Sequence, residues 1–163
     1  MRLRRLWIGL AVAGLAFPSW VAAQPAAQAP ATTTAIVTSS ANVRAGPDRH
    51  FPTVTWLLGG KTVQVVGCVE SWRWCDVIAG RDRGWVYSRY LAVEHQGAKV
   101  TVARGGPTLG LPVVAFTIAG YWGEHYRDRR WFADQPYWER RLQNRPAQPE
   151  WRPPAPPRGS AAK

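Results

Sequence analysis

The sequence is poor in the residues on which most metal and redox sites depend. It has two cysteines and three histidines in 163 residues, and its 10 acidic residues stand against 21 basic ones. The histidines, His50, His95 and His125, are scattered along the chain, so no third or fourth soft ligand accompanies the cysteines. The cysteine spacing also differs from a redox C-x-x-C motif. We therefore expect neither a metal site nor a cofactor.

The first 23 residues have the three parts of a secretory signal peptide. A basic head (2–5) precedes an apolar centre (6–17), and small residues (21–23) form the exit. An uncleaved membrane anchor is the alternative, but the apolar centre is shorter than the ~20 residues that a spanning helix needs. Cleavage near Ala23 predicts a periplasmic or secreted protein.

Export bears directly on the two cysteines, because an exported chain meets oxidising conditions. Cys68 and Cys75 are therefore expected to form a disulfide. Closing this short loop would stabilise the fold by about 2.5 kcal/mol in the chain-entropy model. The bond would join the two strands of a hairpin. A four-residue loop, Glu70 to Arg73, is favoured over a two-residue loop because it puts the cysteines at the closer, non-hydrogen-bonded position.

Signatures of catalysis are missing from the sequence. The serines lack a G-x-S-x-G setting, and the glycine-rich stretch 103–111 lacks the lysine and the helix of a phosphate-binding loop. Glu124 and His125 are adjacent, which is not the spacing of an H-E-x-x-H zinc helix. With both thiols paired, a Cys-His peptidase is excluded. We expect a protein that is not an enzyme.

Composition divides the exported part into five segments. Residues 24–34 are an uncharged, flexible linker. Residues 35–95 contain short β-rich runs separated by glycine and proline, which predicts five strands in a small antiparallel barrel. Two apolar runs in 99–120 are expected to add a strand or hairpin. A basic aromatic segment (121–145) and a proline-rich tail (146–163) follow, and the tail is expected to be disordered.

An ordered set of residues runs through the barrel segment. It comprises Asn42-Val43-Arg44-x-Gly46-Pro47, Pro52-x-Val54, Gly67, Trp74, Gly84-Trp85-Val86 and Tyr90-Leu91. This pattern resembles the bacterial SH3 family of exported proteins, and the segment after it resembles the arginine-rich tail of some small members. The resemblance implies an all-β, five-stranded SH3-like barrel. It also implies a targeting or peptide-binding module of the cell envelope, often associated with peptidoglycan.

The aromatic residues of the barrel segment divide into core and surface candidates. Trp74 and Trp85 lie in the middle of apolar strands and are expected in the core. Trp72, at the hairpin tip, and Tyr87 are expected on the surface. Exposed rings suit a sugar face or an extended peptide. The candidate ligand-binding residues are Asn42, Arg44, Trp72, Tyr87 and Tyr90.

Two roles are open for Arg44. With Asn42 it could anchor a carboxylate of the ligand. It could also make a structural hydrogen bond to the turn beside it.

The basic aromatic segment 121–145 supports two readings. Arginine stacks on aromatic rings and grips phosphate or carboxylate, so the segment could hold a polyanion or lie on a membrane surface. Alternatively, its rings fold back over the open edge of the barrel, with the arginines in solvent. Trp122 and Tyr126 are one helical turn apart, and residues 138–145 could form a helix that Pro136 keeps short. The candidate contact residues are Arg127, Arg129, Arg130, Trp131, Arg140 and Arg141.

The net charge of +11 indicates an anionic neighbour or simply a solubility device. Export makes nucleic acid the least expected partner. The leading hypothesis is a non-catalytic envelope module whose barrel engages peptidoglycan or a periplasmic peptide. The alternative is a structural or interaction protein whose basic aromatic tail docks on a protein partner or an anionic membrane surface.

Overall fold

The computed structural model describes residues 32–146 and 151–152. The predicted signal peptide lies outside these residues, as do most of the linker 24–34 and most of the tail 146–163. In the described part of the chain, no helix is both long and apolar enough to cross a membrane.

The described residues are mostly β-sheet. They form β1 (Thr33–Val37), β2 (Ala41–Arg44), β3 (Thr53–Leu57), β4 (Thr62–Cys68), β5 (Trp74–Ala79), β6 (Asp82–Tyr87), β7 (Leu91–His95) and β8 (Ala98–Thr101). These strands make one antiparallel sheet in the order β3-β2-β6-β5-β4-β1-β7-β8. The prediction of a five-stranded barrel is corrected to a single open sheet of eight strands in the described residues, because β2, β7 and β8 also pair.

Helices complete the fold, so the predicted all-β class is incomplete. The described residues contain α1 (Val102–Gly105), α2 (Ile118–His125) and α3 (Gln135–Gln143). At the start of α2 the Thr117 hydroxyl accepts a hydrogen bond from Gly120 N–H, which caps the helix. Pro136 lies in the first turn of α3, where its missing N–H has no partner to lose. It therefore marks the beginning of this helix, which starts at Gln135 and not at Trp138.

The hairpin of β4 and β5 has the predicted four-residue loop. Val69 N–H donates to Trp74 O at 3.0 Å, so residues 70–73 form the turn. Cys68 lies opposite Cys75 in the register, and the two form a disulfide with their Cα atoms 3.9 Å apart. This separation is that of a close, non-hydrogen-bonded pair, so the predicted loop and the predicted disulfide are both confirmed.

Strands β5 and β6 have two faces that different parts of the chain cover. On one face, Cys75, Val77 and Val86 belong to the main hydrophobic core. Successive residues of a strand point to opposite faces, so Asp76 and its cross-strand neighbour Trp85 face the other way. Both are nevertheless buried. Another part of the chain must therefore pack on this second face.

The chain after residue 110 packs on this second face. The ring of Phe116 lies 5.4 Å from the ring of Trp85, and the ring of Tyr121, in α2, lies 5.7 Å from it. Trp122 is fully buried, and its Nε1–H donates to Ala45 O at 2.7 Å. The rings of the basic aromatic segment thus fold back on the barrel segment, as one of its two readings predicts, but they cover a face of the sheet and not an open edge.

Residues 99–120 do not form a separate hairpin. Their first run is β8, which extends the sheet by pairing with β7 and so gives the predicted extra strand. The second run follows the end of β4, with Cys68 N–H donating to Pro112 O at 2.8 Å and Val114 N–H to Cys68 O at 2.9 Å. A Cβ at Gly67 would lie 2.6 Å from the Val114 side chain, so this crossing needs glycine.

Part of the predicted proline-rich tail also packs on the fold. Trp151 is half-buried, rests against the main core, and donates from Nε1 to Ala103 O at 3.2 Å. A Cβ at Gly106 would lie 2.2 Å from the Trp151 ring. At this point the tail is therefore an ordered part of the molecule.

We expect the Cys68→Ala, Cys75→Ala double variant to lose about 2.5 kcal/mol of unfolding free energy, because its unfolded chain is no longer closed into a loop. Chemical denaturation at neutral pH measures the loss. A reducing agent should destabilise the wild type to a similar extent and leave the double variant unchanged. Equal stability of the oxidised and reduced wild type would contradict the prediction.

Candidate ligand-binding groove

A groove of about 1080 Å³ lies between the sheet and α3. One side is built by β2 with the loop after it and by the end of β6. The other side is built by the exposed turns of α3 and the residues that follow it, from Trp138 to Pro146. The groove therefore combines the barrel segment with the basic aromatic segment, which the sequence analysis treated as separate sites.

Four of the five predicted ligand-binding residues line this groove: Asn42, Arg44, Tyr87 and Tyr90. Asn42 is exposed, and the other three are partly buried. Of the six contact residues predicted in the tail, all of which the structure describes, Arg141 alone lines the groove.

Trp72 is the exception, because it was predicted to be exposed and is not. Its side chain is only 5% exposed and belongs to the main core. Its backbone adopts φ 57°, and its N–H donates to Val69 O at 2.8 Å, which closes the hairpin turn. This left-handed conformation is rare for a bulky residue and was not visible in the sequence.

A continuous aromatic wall runs along the sheet side of the groove. The rings of Trp74 and Tyr87 are 5.4 Å apart, and those of Tyr87 and Tyr90 are 6.1 Å apart. On the opposite side Trp138 stacks on Phe51 at 5.2 Å with an interplanar angle of 25°. Trp74 is buried as predicted, yet its edge reaches the groove.

The groove is strongly basic. Among the groove residues that the structure describes, Asp48 is the one carboxylate. The arginines that line the groove are Arg44, Arg49, Arg73, Arg141 and Arg145. An excess of cations beside aromatic faces suits a ligand that combines anionic groups with flat or apolar parts.

The two open roles of Arg44 are compatible in the structure. Its Nη1 donates to Phe51 O at 3.0 Å and to the Thr53 hydroxyl at 3.2 Å, so it does hold the adjacent turn. Burial lowers the pKa of Arg44, and the charge of Asp48 partly offsets that effect. The guanidinium remains a cation at physiological pH.

A contact between the loop after β2 and the residues that follow α3 joins the two sides of the groove. Arg145 Nη1 lies 2.9 Å from Asp48 Oδ2, and His50 Nδ1 lies 2.7 Å from Asp48 Oδ1. Burial alone would raise the pKa of Asp48. The hydrogen bonds from His50 and Arg145 and the charge of Arg145 outweigh burial, so the pKa lies below its ordinary value.

The other predicted tail residues lie outside the groove. Arg129 pairs with Asp82 at 3.0 Å, and Trp131 packs edge-on against Trp122 with centroids 4.6 Å apart. Arg127 donates to the Gly123 carbonyl. The exposed members of the set are Arg127, Arg130, Arg140 and Arg141.

Several groove residues were not among the predicted site residues, including Asp48, Arg73, Trp138 and Arg145. Trp138 and Arg141 are three residues apart in a helix, a spacing that places them on one face and could have been noticed. Asp48 and Arg145 are 97 residues apart in sequence, so nothing local indicates that they meet.

A buried ionic cluster fixes α2 on the second face of the sheet. Asp76 is 2% exposed and accepts from Arg83 Nε at 3.0 Å and Nη2 at 2.7 Å. The Tyr121 hydroxyl donates to the other oxygen of Asp76. Burial and the charge of Asp76 raise the pKa of Tyr121, which keeps the phenol protonated as a donor. Both oxygens of the carboxylate thus have partners.

Comparison with known families agrees with the residue pattern of the barrel segment. Residues 39–92 match the family model of the bacterial SH3 domain, which confirms the resemblance for that segment. Comparisons with curated proteins and with solved structures gave no match.

We expect Tyr121→Phe to lower the unfolding free energy by about 1–3 kcal/mol, because one oxygen of the buried Asp76 loses its donor. Chemical denaturation measures the change. Tyr137→Phe, at a half-exposed tyrosine of α3, is the matched control and should cost less than about 0.5 kcal/mol. Equal effects of the two substitutions would contradict the docking role of Tyr121.

Ionisation of Asp48 should make the free energy of unfolding depend on pH in the acid range. Its folded-state pKa lies below the ordinary value, so its contribution is complete above the unfolded-state pKa of about 4 and is lost as the pH falls through the folded-state pKa. Wild type should therefore exceed Asp48→Asn in unfolding free energy near neutral pH, and the two should converge below about pH 4. Urea denaturation across this range tests it, with the exposed Asp128→Asn as control. A difference that stays constant with pH would contradict it.

Proposed function

We propose that this chain, which carries a bacterial SH3 domain at residues 39–92, is a non-catalytic binding module of the cell envelope. Its ligand is peptidoglycan or a periplasmic peptide, held in the groove between the sheet and α3. The observation that carries the proposal is the groove itself, in which an aromatic wall faces arginines from two parts of the chain. Bacterial SH3 domains are generally binding modules, often for cell-wall or protein partners.

The chemistry of the groove suits such a ligand. The rings of Tyr87 and Tyr90 offer flat faces against which a sugar or an extended peptide can pack. The guanidinium of Arg44 can grip a carboxylate in a planar fork, and Asn42 beside it can hydrogen bond a peptide group. Peptidoglycan combines sugar rings with peptides that end in carboxylates, so it matches both features.

The proposal includes a location outside the cytoplasm. The bacterial SH3 domain and the Cys68–Cys75 disulfide fit an extracellular or periplasmic protein. Export through a signal peptide cleaved near Ala23 belongs to the proposal. Determining the N-terminal sequence of the secreted protein would test it.

The alternative, in which the tail binds an anionic membrane surface or a protein partner, has less support. The rings of Trp122 and Tyr126, which could have anchored the tail elsewhere, are buried on the sheet. Exposed arginines such as Arg127, Arg130 and Arg140 remain available for charge contacts. Binding through them alone would be strongly weakened by salt, because exposed charges are screened within about 10 Å at 0.1 M salt.

We expect Tyr87→Ala to weaken co-sedimentation of residues 24–163 with purified peptidoglycan sacculi about tenfold, because the aromatic wall loses its central ring. The matched control is Trp56→Ala, which removes an aromatic side chain that is 56% exposed and lies outside the groove. Wild-type binding should persist at high salt.

Two outcomes would contradict the proposal that the groove binds peptidoglycan. If Tyr87→Ala and Trp56→Ala pellet like the wild type, the groove does not bind the wall. If salt abolishes binding and the triple substitution of Arg127, Arg130 and Arg140 by Gln has the larger effect, the charge of the tail is responsible and the alternative gains support.

A further inference from the structure

The kind of ligand that the groove can bind is indicated by the charges of two arginines whose side chains are held in place by neighbouring groups. Arg44 is anchored by the neutral acceptors Phe51 O and Thr53 Oγ1. Among the described residues, no carboxylate lies within ion-pair distance of Arg44. Asp48, the acid of the groove, is already engaged by Arg145. Arg44 is therefore a half-buried cation, fixed in direction, whose charge no neighbouring acid balances in contact.

Arg141 is a second such cation on the opposite side. Its guanidinium lies 5.9 Å from the centre of the Trp138 ring, and its Nη1 donates to the Tyr137 hydroxyl at 3.2 Å. In the described part of the chain it too has no carboxylate within ion-pair distance. The aromatic neighbours restrict the side chain without neutralising it.

The groove that both cations line is large and is also lined by aromatic rings. Its volume of about 1080 Å³ is at the upper end of the roughly 300–1,000 Å³ typical of small-molecule sites. A lone anion would leave the wall of Trp74, Tyr87 and Tyr90 uncovered. An extended molecule with anionic groups at two places and a middle part that packs on rings matches these features of the groove.

We propose that the groove binds an extended acidic peptide with two carboxylates, the C-terminal one at Arg44 and a side-chain one at Arg141. The half-buried position of Arg44 suits the end of a chain, whereas the exposed Arg141 can be reached by a side chain. Asn42, next to Arg44 on β2, is placed to bond the peptide backbone. In this proposal, which rests on the proposed function, α3 is a specificity element of the site.

The proposal is tested by isothermal titration of residues 24–163 with synthetic peptides. The reference probe is N-acetylated Ala-Glu-Ala-Ala with a free C-terminus. One analogue carries a C-terminal amide, and another has Gln in place of Glu. Each analogue should bind about tenfold or more weakly, because each loses a charge-assisted contact.

Substitutions assign each carboxylate to its arginine. Arg44→Gln removes both the charge and the planar fork, so it should bind the free acid and the amide with nearly equal affinity. Arg141→Gln should still prefer the free acid but should no longer distinguish Glu from Gln. Arg130→Gln removes the same charge from an exposed tail position outside the groove and should behave like the wild type. Unfolding curves should show that all three variants fold.

The outcomes separate this proposal from the function on which it rests. Equal binding of acid and amide by the wild type, or an equal loss in Arg130→Gln, would overturn it even if Tyr87→Ala abolishes sacculus binding. No binding of the reference peptide in the millimolar range would overturn it as well. If Tyr87 proves irrelevant to sacculi while the peptides discriminate as expected, the site stands and the peptidoglycan assignment falls.

Discussion

The fold depends on covering a second face of the sheet that carries a buried charge. Asp76 and Trp85 lie on the side of β5 and β6 that points away from the main core, yet both are buried. A buried carboxylate is tolerated only when it is paired and hydrogen-bonded. Arg83 supplies the charge, but the second donor is Tyr121, from a helix beyond the SH3 segment. The domain recognised in residues 39–92 is thus completed by the chain that follows it.

This docking also creates one wall of the groove. Once Trp122 is fixed to Ala45 O, the chain turns back and α3 begins at Gln135, so that Trp138 can stack on Phe51. The contact of Arg145 with Asp48 also joins the two sides of the groove. An SH3 segment without its tail would keep the tyrosines of the groove but would lose the opposite side. Folding of the tail on the sheet is therefore what completes the groove.

The features that could be predicted from the sequence are those that depend on residues close together in the chain. The hairpin, its loop and the Cys68–Cys75 bond were predicted because turn residues and strand register act over a few neighbours. The burial of Trp72 was missed because it depends on a positive φ that its residue type disfavours. The groove was predicted as two unrelated sets of residues, because the contact between the loop after β2 and α3 is a tertiary contact with no local signal. Pro136 was predicted to limit the last helix, and its position in the first turn of α3 agrees, because proline is a local signal for where a helix begins.

The charge of the groove links the binding proposed for it to the position of α3. Arg44 and Arg73 on the sheet side face Arg141 and Arg145 from the tail, and Asp48 balances part of this charge. Repulsion among these cations opposes the docking of α3, while the stacking of Trp138 on Phe51 and the Asp48 contact favour it. An anionic ligand between the two walls removes part of the repulsion. By linkage, whatever binds the groove also holds the tail against the sheet, so occupancy and the closed arrangement stabilise each other.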